Sequence, residues 1–206
     1  MCGRYFIDDS QNDAELHDII ESLNRRKSSA LKTSGEIFPT DTVPVIANNR
    51  AMARSVFAMT WGYTFPNGKR IINARSETAN EKQVFRNGME QRRCVIPASN
   101  YFEWERLEKK RTTKYAIRPD TAGLMYMAGI YRFENGTPVF TILTREPAED
   151  IAFIHDRMPV ILPSGIIADW MNPRYKAKDI MKEAVLSVQY KPVDAHAGEQ
   201  LHIDLI

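Results

Sequence analysis

Between Thr42 and Glu146 the chain is a succession of short apolar runs, at residues 43–47, 54–63, 94–105, 114–119, 124–133 and 138–146. Runs of this length, rich in β-branched and aromatic residues, form strands in preference to helices. Asn135-Gly136 separates the last two by a dipeptide that tolerates the left-handed backbone of a tight hairpin, so 124–133 and 137–144 are expected to pair. Asn67-Gly68 marks a second tight turn. Helical spacing of Ala14, Leu16, Ile19, Ile20 and Leu23 predicts an amphipathic helix over 13–23, and 24–35 reads as a mobile connection. Further helices are expected at 148–155, 165–171 and 177–184, with a last strand at 186–192. Strands first and helices around them imply an α+β fold with a mainly β core. No repeat or Pro/Gly/Ser-rich linker divides the chain, which predicts one domain over 1–206.

At 206 residues such a domain buries roughly 70% of its unfolded surface and needs no covalent staple. Its two cysteines, Cys2 and Cys94, are too few for a disulfide framework and suit a reducing compartment, although a Cys2–Cys94 bridge stays an open alternative. No apolar run is long enough to span a bilayer, and MCGRYFIDDS lacks the apolar segment of a signal peptide, so a cytoplasmic, membrane-free protein is expected. His17, His155, His196 and His202 are widely spaced, with no CxxC, HExxH or glycine-rich phosphate loop, so neither a metal nor a cofactor is expected. A net charge of +2 is too mild to imply nucleic-acid binding unless basic residues cluster on one face.

The most reactive feature is Cys2. Removal of Met1 would leave an α-amine and a thiol on one residue, with reference pKa values of about 7.7–8.0 and about 8.5. A 1,2-aminothiol condenses with an aldehyde to a Schiff base and then closes to a thiazolidine ring. A cysteine at position 2 is equally compatible with no role. Asn73 and Arg75 lie in IINARSET, Glu103 lies between Phe102 and Trp104, and His155 lies in FIHDRMPVIL. A carboxylate among aromatics and a histidine suit acid–base work near neutral pH; the structural alternatives are a Glu103–arginine pair and a hydrogen-bonded core histidine. Trp61, Tyr63, Phe65 and Trp104 offer rings for stacking on bases, and Arg4, Arg70, Arg75, Arg86, Arg92 and Arg93 offer charge for phosphates. Core packing and solvated surface are the alternatives. Lys109, Lys110 and Arg111 read as a hairpin tip.

MCGRY at the start, WGY at 61–63, INARSET at 72–78, CVIPASNYFEW at 94–104 and IHDRMPV at 154–160 together resemble the SRAP family, the SOS response-associated peptidases, also called abasic-site processing proteins. The resemblance implies a β-barrel-like core with peripheral helices and a groove for single-stranded DNA, in a monomer. It implies that mature Cys2, exposed by methionine aminopeptidase or by self-processing of Met1, bonds to the aldehyde of an abasic deoxyribose as a thiazolidine. Such a protein works on cytoplasmic nucleoid DNA, or in a nucleus. Carried over by residue, Asn73 positions the Cys2 amine, Glu103 acts on the amine and opened sugar, and His155 transfers protons. Arg4 and Arg75 hold phosphates, Trp61 lies at the DNA surface, and Pro39 belongs to the DNA-binding segment. Relatives carry Tyr-Asn-x-Ala-Pro where this chain reads Gly35-Glu36-Ile37-Phe38-Pro39, so Glu36 replaces an asparagine. A carboxylate facing phosphates weakens binding, so Glu36 is expected to point away or to mark a different backbone contact. The alternatives are an N-terminal cysteine peptidase, cleaving itself or other proteins, and a single-strand binding module without catalysis.

Overall fold

The computed structural model describes residues 2–8, 14–24, 31–65, 67–105, 113–121 and 123–193. In chain order the strands are β1 (Arg4–Ile7), β2 (Gly35–Ile37), β3 (Thr42–Asn48), β4 (Arg54–Trp61), β5 (Tyr63–Thr64), β6 (Arg70–Ile71), β7 (Asn73–Arg75) and β8 (Arg93–Ala98). They continue as β9 (Asn100–Trp104), β10 (Lys114–Pro119), β11 (Met125–Glu134), β12 (Thr137–Arg145), β13 (Met158–Pro159), β14 (Ile161–Leu162) and β15 (Val188–Val193). The α-helices are α1 (Ala14–Asn24), α2 (Gln83–Gln91), α3 (Ile167–Met171) and α4 (Ala177–Ile180).

Strands β12, β4, β3, β8 and β11 pair in that order, and β11 returns to β12, which closes a five-stranded barrel. Its pairings are antiparallel except β12 with β4. The α+β class and barrel core agree with the sequence expectation. The β11–β12 hairpin turns at Asn135 (φ 50°) and Gly136 (φ 81°), the left-handed pair that this dipeptide favours. A second sheet has the order β15-β10-β9-β1-β2. The apolar run at 94–105 supplies a strand to each sheet: it leaves the barrel at Ala98 and enters the second sheet at Asn100. Ser99 makes the crossing, its N–H bonded to the Phe6 carbonyl at 2.8 Å and its hydroxyl accepting from the Asp8 N–H at 2.9 Å.

Strand alternation sorts the apolar residues into two cores. One joins Val43, Val45, Ile96, Met127 and Phe140 of the barrel to Tyr5, Ile7, Tyr101 and Ile117 on the inner face of the second sheet, and Cys2 lies in it. The other lies between Val95, Ala128, Ile130 and Leu143 and the helices, through Phe85, Met89, Ile167 and Trp170.

Helix α2 is absent from the sequence expectation. Its buried stripe runs through Phe85, Gly88 and Met89, and glycine lowers helix propensity in the middle of the pattern. Gly88 is required by packing, since a Cβ there would stand 3.0 Å from the Ile130 side chain. The helix expected over 148–155 is only a 3₁₀ turn, Glu149–Ile151, because β13 begins at Met158 and the chain must double back to it. The expected 177–184 helix stops at Ile180 and tightens into 3₁₀. Lys109, Lys110 and Arg111, and part of the 24–35 connection, lie outside the described residues. Among the described residues no helix is long and apolar enough to cross a membrane.

Candidate active site

Cys2 enters at the head of β1 and is fully buried, 0% exposed, in the chain that carries Met1. Its carbonyl accepts a hydrogen bond from Asn73 Nδ2 at 2.8 Å, and its Sγ lies 3.7 Å from the Arg4 carbonyl. Asn73 begins β7, a short strand held parallel to β12 in register with Ile142, so the barrel wall carries the group that grips the N-terminal segment. The contact differs from the expected one: Asn73 holds the carbonyl of Cys2, and its Oδ1 is left without a partner among the described residues.

Glu103 lies on β9, 4% exposed, and shares the inner face with Tyr101 two residues earlier. Burial pushes the Cys2 thiol well above its ordinary value, and the neighbouring Glu103 carboxylate pushes it further. In the chain that carries Met1, this environment disfavours the thiolate. Tyr5 and Tyr101, directly paired across β1 and β9, flank the same thiol. Burial raises both phenols, and the Glu103 carboxylate adds to the effect on Tyr101. Sequence reasoning passed over both tyrosines, which look like ordinary core aromatics; only pairing β1 with β9 puts them beside Cys2.

His155 stands on the segment between the 3₁₀ turn and β13, its side chain 11% exposed. Two residues before it, Phe153 packs edge-on against Tyr115 (5.8 Å), which pairs with Glu103 across β9 and β10. Two residues after it, Arg157 bonds the Thr144 carbonyl at 2.6 Å and Glu77 at 2.7 Å, beside the end of β7. The His155 segment thus joins β10, the neighbour of the strand carrying Glu103, to β12, the neighbour of the strand carrying Asn73. His155 Nδ1 lies 2.7 Å from Asp156 Oδ1 and 3.1 Å from the Arg157 backbone N–H. A protonated Nδ1 donates to the carboxylate, and an unprotonated one accepts from the backbone. The two partners therefore serve Nδ1 with and without its hydrogen.

Of the four residues transferred as DNA contacts, Arg75 is exposed at the end of β7, two residues from Asn73 on the same strand face, with no ion-pair partner among the described residues. Arg4 lies on the outer face of the second sheet. Its guanidinium pairs with Glu36 at 3.1 Å and stacks over Phe38 (4.3 Å) and Trp104 (5.3 Å). Lys114 pairs with the same Glu36 oxygen at 2.9 Å, so Glu36 points into the basic cluster as its counter-charge. Pro39 is half-buried in a tight turn between exposed Phe38 and Thr40, whose φ of 83° is costly for a β-branched residue. Trp61 is a correction. It is 0% exposed, stacked on Phe140 at 6.3 Å, and bonded through Nε1 to the Ile72 carbonyl at 2.9 Å, which commits the ring to the core. Tyr63, 1% exposed, is corrected likewise. Arg93 is also internal, bonded to the carbonyls of Asn172 and Tyr175.

Cys2 and Cys94 are both free thiols. Among the described residues no group of His, Cys, Asp and Glu is placed to hold a metal.

A family model described as SOS response associated peptidase (SRAP) matches residues 1–199. The chain is 32% identical to the abasic site processing protein YoqW of Bacillus subtilis, over 98% of this chain and 92% of that one. It is 26% identical to the abasic site processing protein YedK of Escherichia coli, over 87% and 83%. Among solved structures, a phage-related protein of Bordetella bronchiseptica superposes with a TM-score of 0.73 at 22% identity, covering 93% of this chain and 94% of that one.

Proposed function

The chain belongs to the SOS response associated peptidase family, and from that premise we propose that it processes abasic sites in DNA, using mature Cys2 to bond to the opened sugar in single-stranded DNA. The observation that carries this reading is the Asn73–Cys2 hydrogen bond, which holds Cys2 within electrostatic reach of the buried Glu103 carboxylate.

The reading requires that Met1 be removed. While present, it acylates the Cys2 nitrogen; its loss bares the amine and takes away the atoms bonded next to a fully buried residue. The neutral amine then attacks C1′ of the ring-opened deoxyribose. The carbinolamine loses its oxygen as water, which gives the Schiff base. The thiol adds across the C=N bond, its sulfur to C1′ and its proton to nitrogen, and the thiazolidine closes with one water lost overall. Burial that raises the thiol suits an order with amine first and sulfur second. In this reading Glu103 relays the thiol proton to nitrogen as the ring closes, and His155 moves the proton that turns the hydroxyl into water. Holding amine and aldehyde together can contribute on the order of 7 kcal/mol in favourable cases.

Phosphates of the strand are met by Arg75 at the pocket rim. Arg4, with Pro39 and Phe38, forms a second, outer contact whose charge is offset by Glu36.

The test mixes protein with single-stranded oligonucleotides with and without an abasic site and looks for a shifted band on a denaturing gel. The wild type should give a lesion-dependent band, while Cys2→Ala and a form retaining Met1 should give none. An equally stable adduct from Cys2→Ala overturns the thiazolidine. Affinity should fall with salt with a log–log slope of about −0.7 per phosphate neutralised.

A further inference from the structure

Three buried polar atoms around Cys2 have no hydrogen-bond partner among the described residues: the hydroxyls of Tyr5 and Tyr101 and Asn73 Oδ1. Buried polar groups are nearly always satisfied, because an unpaired one loses its bonds to water without replacement. Tyr63 carries another such hydroxyl elsewhere in the fold, so an unpaired phenol alone marks no site. What distinguishes this group is convergence. Tyr5 and Tyr101 are directly opposed across β1 and β9, both 0% exposed, and side by side on the face that carries Glu103. Asn73 reaches the same residue from the barrel wall and has already fixed its Nδ2 on the Cys2 carbonyl. Phenylalanine would fill either tyrosine's space with no polar atom to satisfy.

We infer that the Tyr5 and Tyr101 hydroxyls, with Asn73 Oδ1, form a cradle for the oxygens of the opened abasic deoxyribose at Cys2. This rests on the Cys2 reaction proposed above and names two substrate-positioning residues for it. The opened sugar brings an aldehyde oxygen at C1′ and a hydroxyl at C4′, and both lose water on coming up to groups as buried as these. A phenol is both donor and acceptor. One donates to the aldehyde oxygen, which polarises C1′ toward the amine and steadies the oxygen that later leaves as water. The other accepts from the C4′ hydroxyl and keeps the sugar open and in register. Asn73 Oδ1 accepts from an N–H of the Cys2 amine and aims its lone pair at C1′. No proton or electron is added to the balance already given.

The experiment uses Tyr5→Phe, Tyr101→Phe and their double variant, with Tyr63→Phe as a control outside the pocket. For each, thermal midpoint, affinity for lesion-free single-stranded DNA, and adduct rate at saturating abasic oligonucleotide are measured across the neutral pH range. Each pocket variant should keep or raise the thermal midpoint and keep its DNA affinity. Each should slow adduct formation about tenfold, the worth of one hydrogen bond in the transition state. With acetaldehyde, which keeps the aldehyde oxygen but has no sugar hydroxyl, one of the two single variants should lose as much rate and the other none. Tyr63→Phe should leave the rate unchanged. An unchanged saturating rate in both pocket variants overturns the cradle while leaving the Cys2 reaction standing. So does a slower rate accompanied by a lower thermal midpoint, which would show that the hydroxyls hold the fold. A wild type that forms no adduct sinks the parent reaction instead.

Discussion

Asn73 donates its side-chain amide to the carbonyl of Cys2 at 2.8 Å, across 71 positions of sequence. The bond ties the N-terminal residue to the barrel through the carbonyl and leaves the nitrogen of Cys2 for chemistry. It also makes Asn73 both a structural and a positioning residue, and the two roles separate by substitution. Asn73→Ala strands a buried carbonyl and should cost about 1–3 kcal/mol in urea unfolding. Asn73→Asp keeps the shape but sets an acceptor against the carbonyl and adds charge beside Glu103, so it should slow adduct formation more than alanine does. A wild-type rate in Asn73→Ala would show that the donated bond has no part in positioning.

Much of the frame was legible because it depends on local pattern. The β11–β12 hairpin follows from Asn135-Gly136, and the long strands follow from apolar runs whose neighbours are turn residues. Strands β1, β2, β7 and β13 were not legible: each is two to four residues long and gains its bonds from a partner distant in sequence. The same limit applied to the site. Asn73, Glu103 and His155 stood out as polar residues in apolar runs. Trp61 looked like a stacking surface because aromatic identity does not reveal the direction of a strand face. Tyr5 and Tyr101 acquire meaning only through the β1–β9 register.

Glu36 provides a pH test of the outer basic cluster. Its burial opposes ionisation, but hydrogen bonds from Lys114 and Arg4 outweigh this and hold the carboxyl below its ordinary value of 4.5. A carboxyl with a depressed folded pKa contributes stability that is fully present above the unfolded value and is lost as pH falls through the folded one. The stability difference between wild type and Glu36→Gln should therefore be constant near neutrality and close in acid, below 4.5. At neutral pH the same variant releases Arg4 and Lys114 from their counter-charge. Its affinity for single-stranded DNA should rise, with a salt slope steeper by about 0.7 for each phosphate contact regained. Unchanged affinity and slope would place the cluster outside the DNA path.

Trp61 separates packing from binding. Trp61→Phe removes the donor to the Ile72 carbonyl and part of the stack on Phe140, and should cost about 1–3 kcal/mol. Trp61→Ala should cost about 3–5 kcal/mol. Under conditions where Trp61→Phe remains folded, its affinity for single-stranded DNA should equal that of wild type. A selective loss of affinity with unchanged unfolding would mean that the ring is reached by DNA after all.

Gly129 tests the barrel itself. It sits in β11 between Cys94 of β8 and Ile142 of β12. A Cβ there would stand 2.4 Å from Ile96 Cδ1, 3.0 Å from the Thr141 carbonyl oxygen and 3.1 Å from Cys94 Sγ. Ile96 can yield by changing rotamer, but the backbone oxygen cannot move without spreading the β11–β12 pairing. Gly129→Ala should therefore destabilise by about 1–3 kcal/mol through overpacking, even though alanine has the better intrinsic propensity for ordered structure. Gly136→Ala strains a left-handed turn in open space and should act only through the backbone. Trimming Ile96 to valine makes room beside Gly129 and should rescue part of the Gly129→Ala loss in a double-mutant cycle, while giving no rescue to Gly136→Ala. Strict additivity at Gly129 and Ile96 would contradict the close approach across the barrel wall.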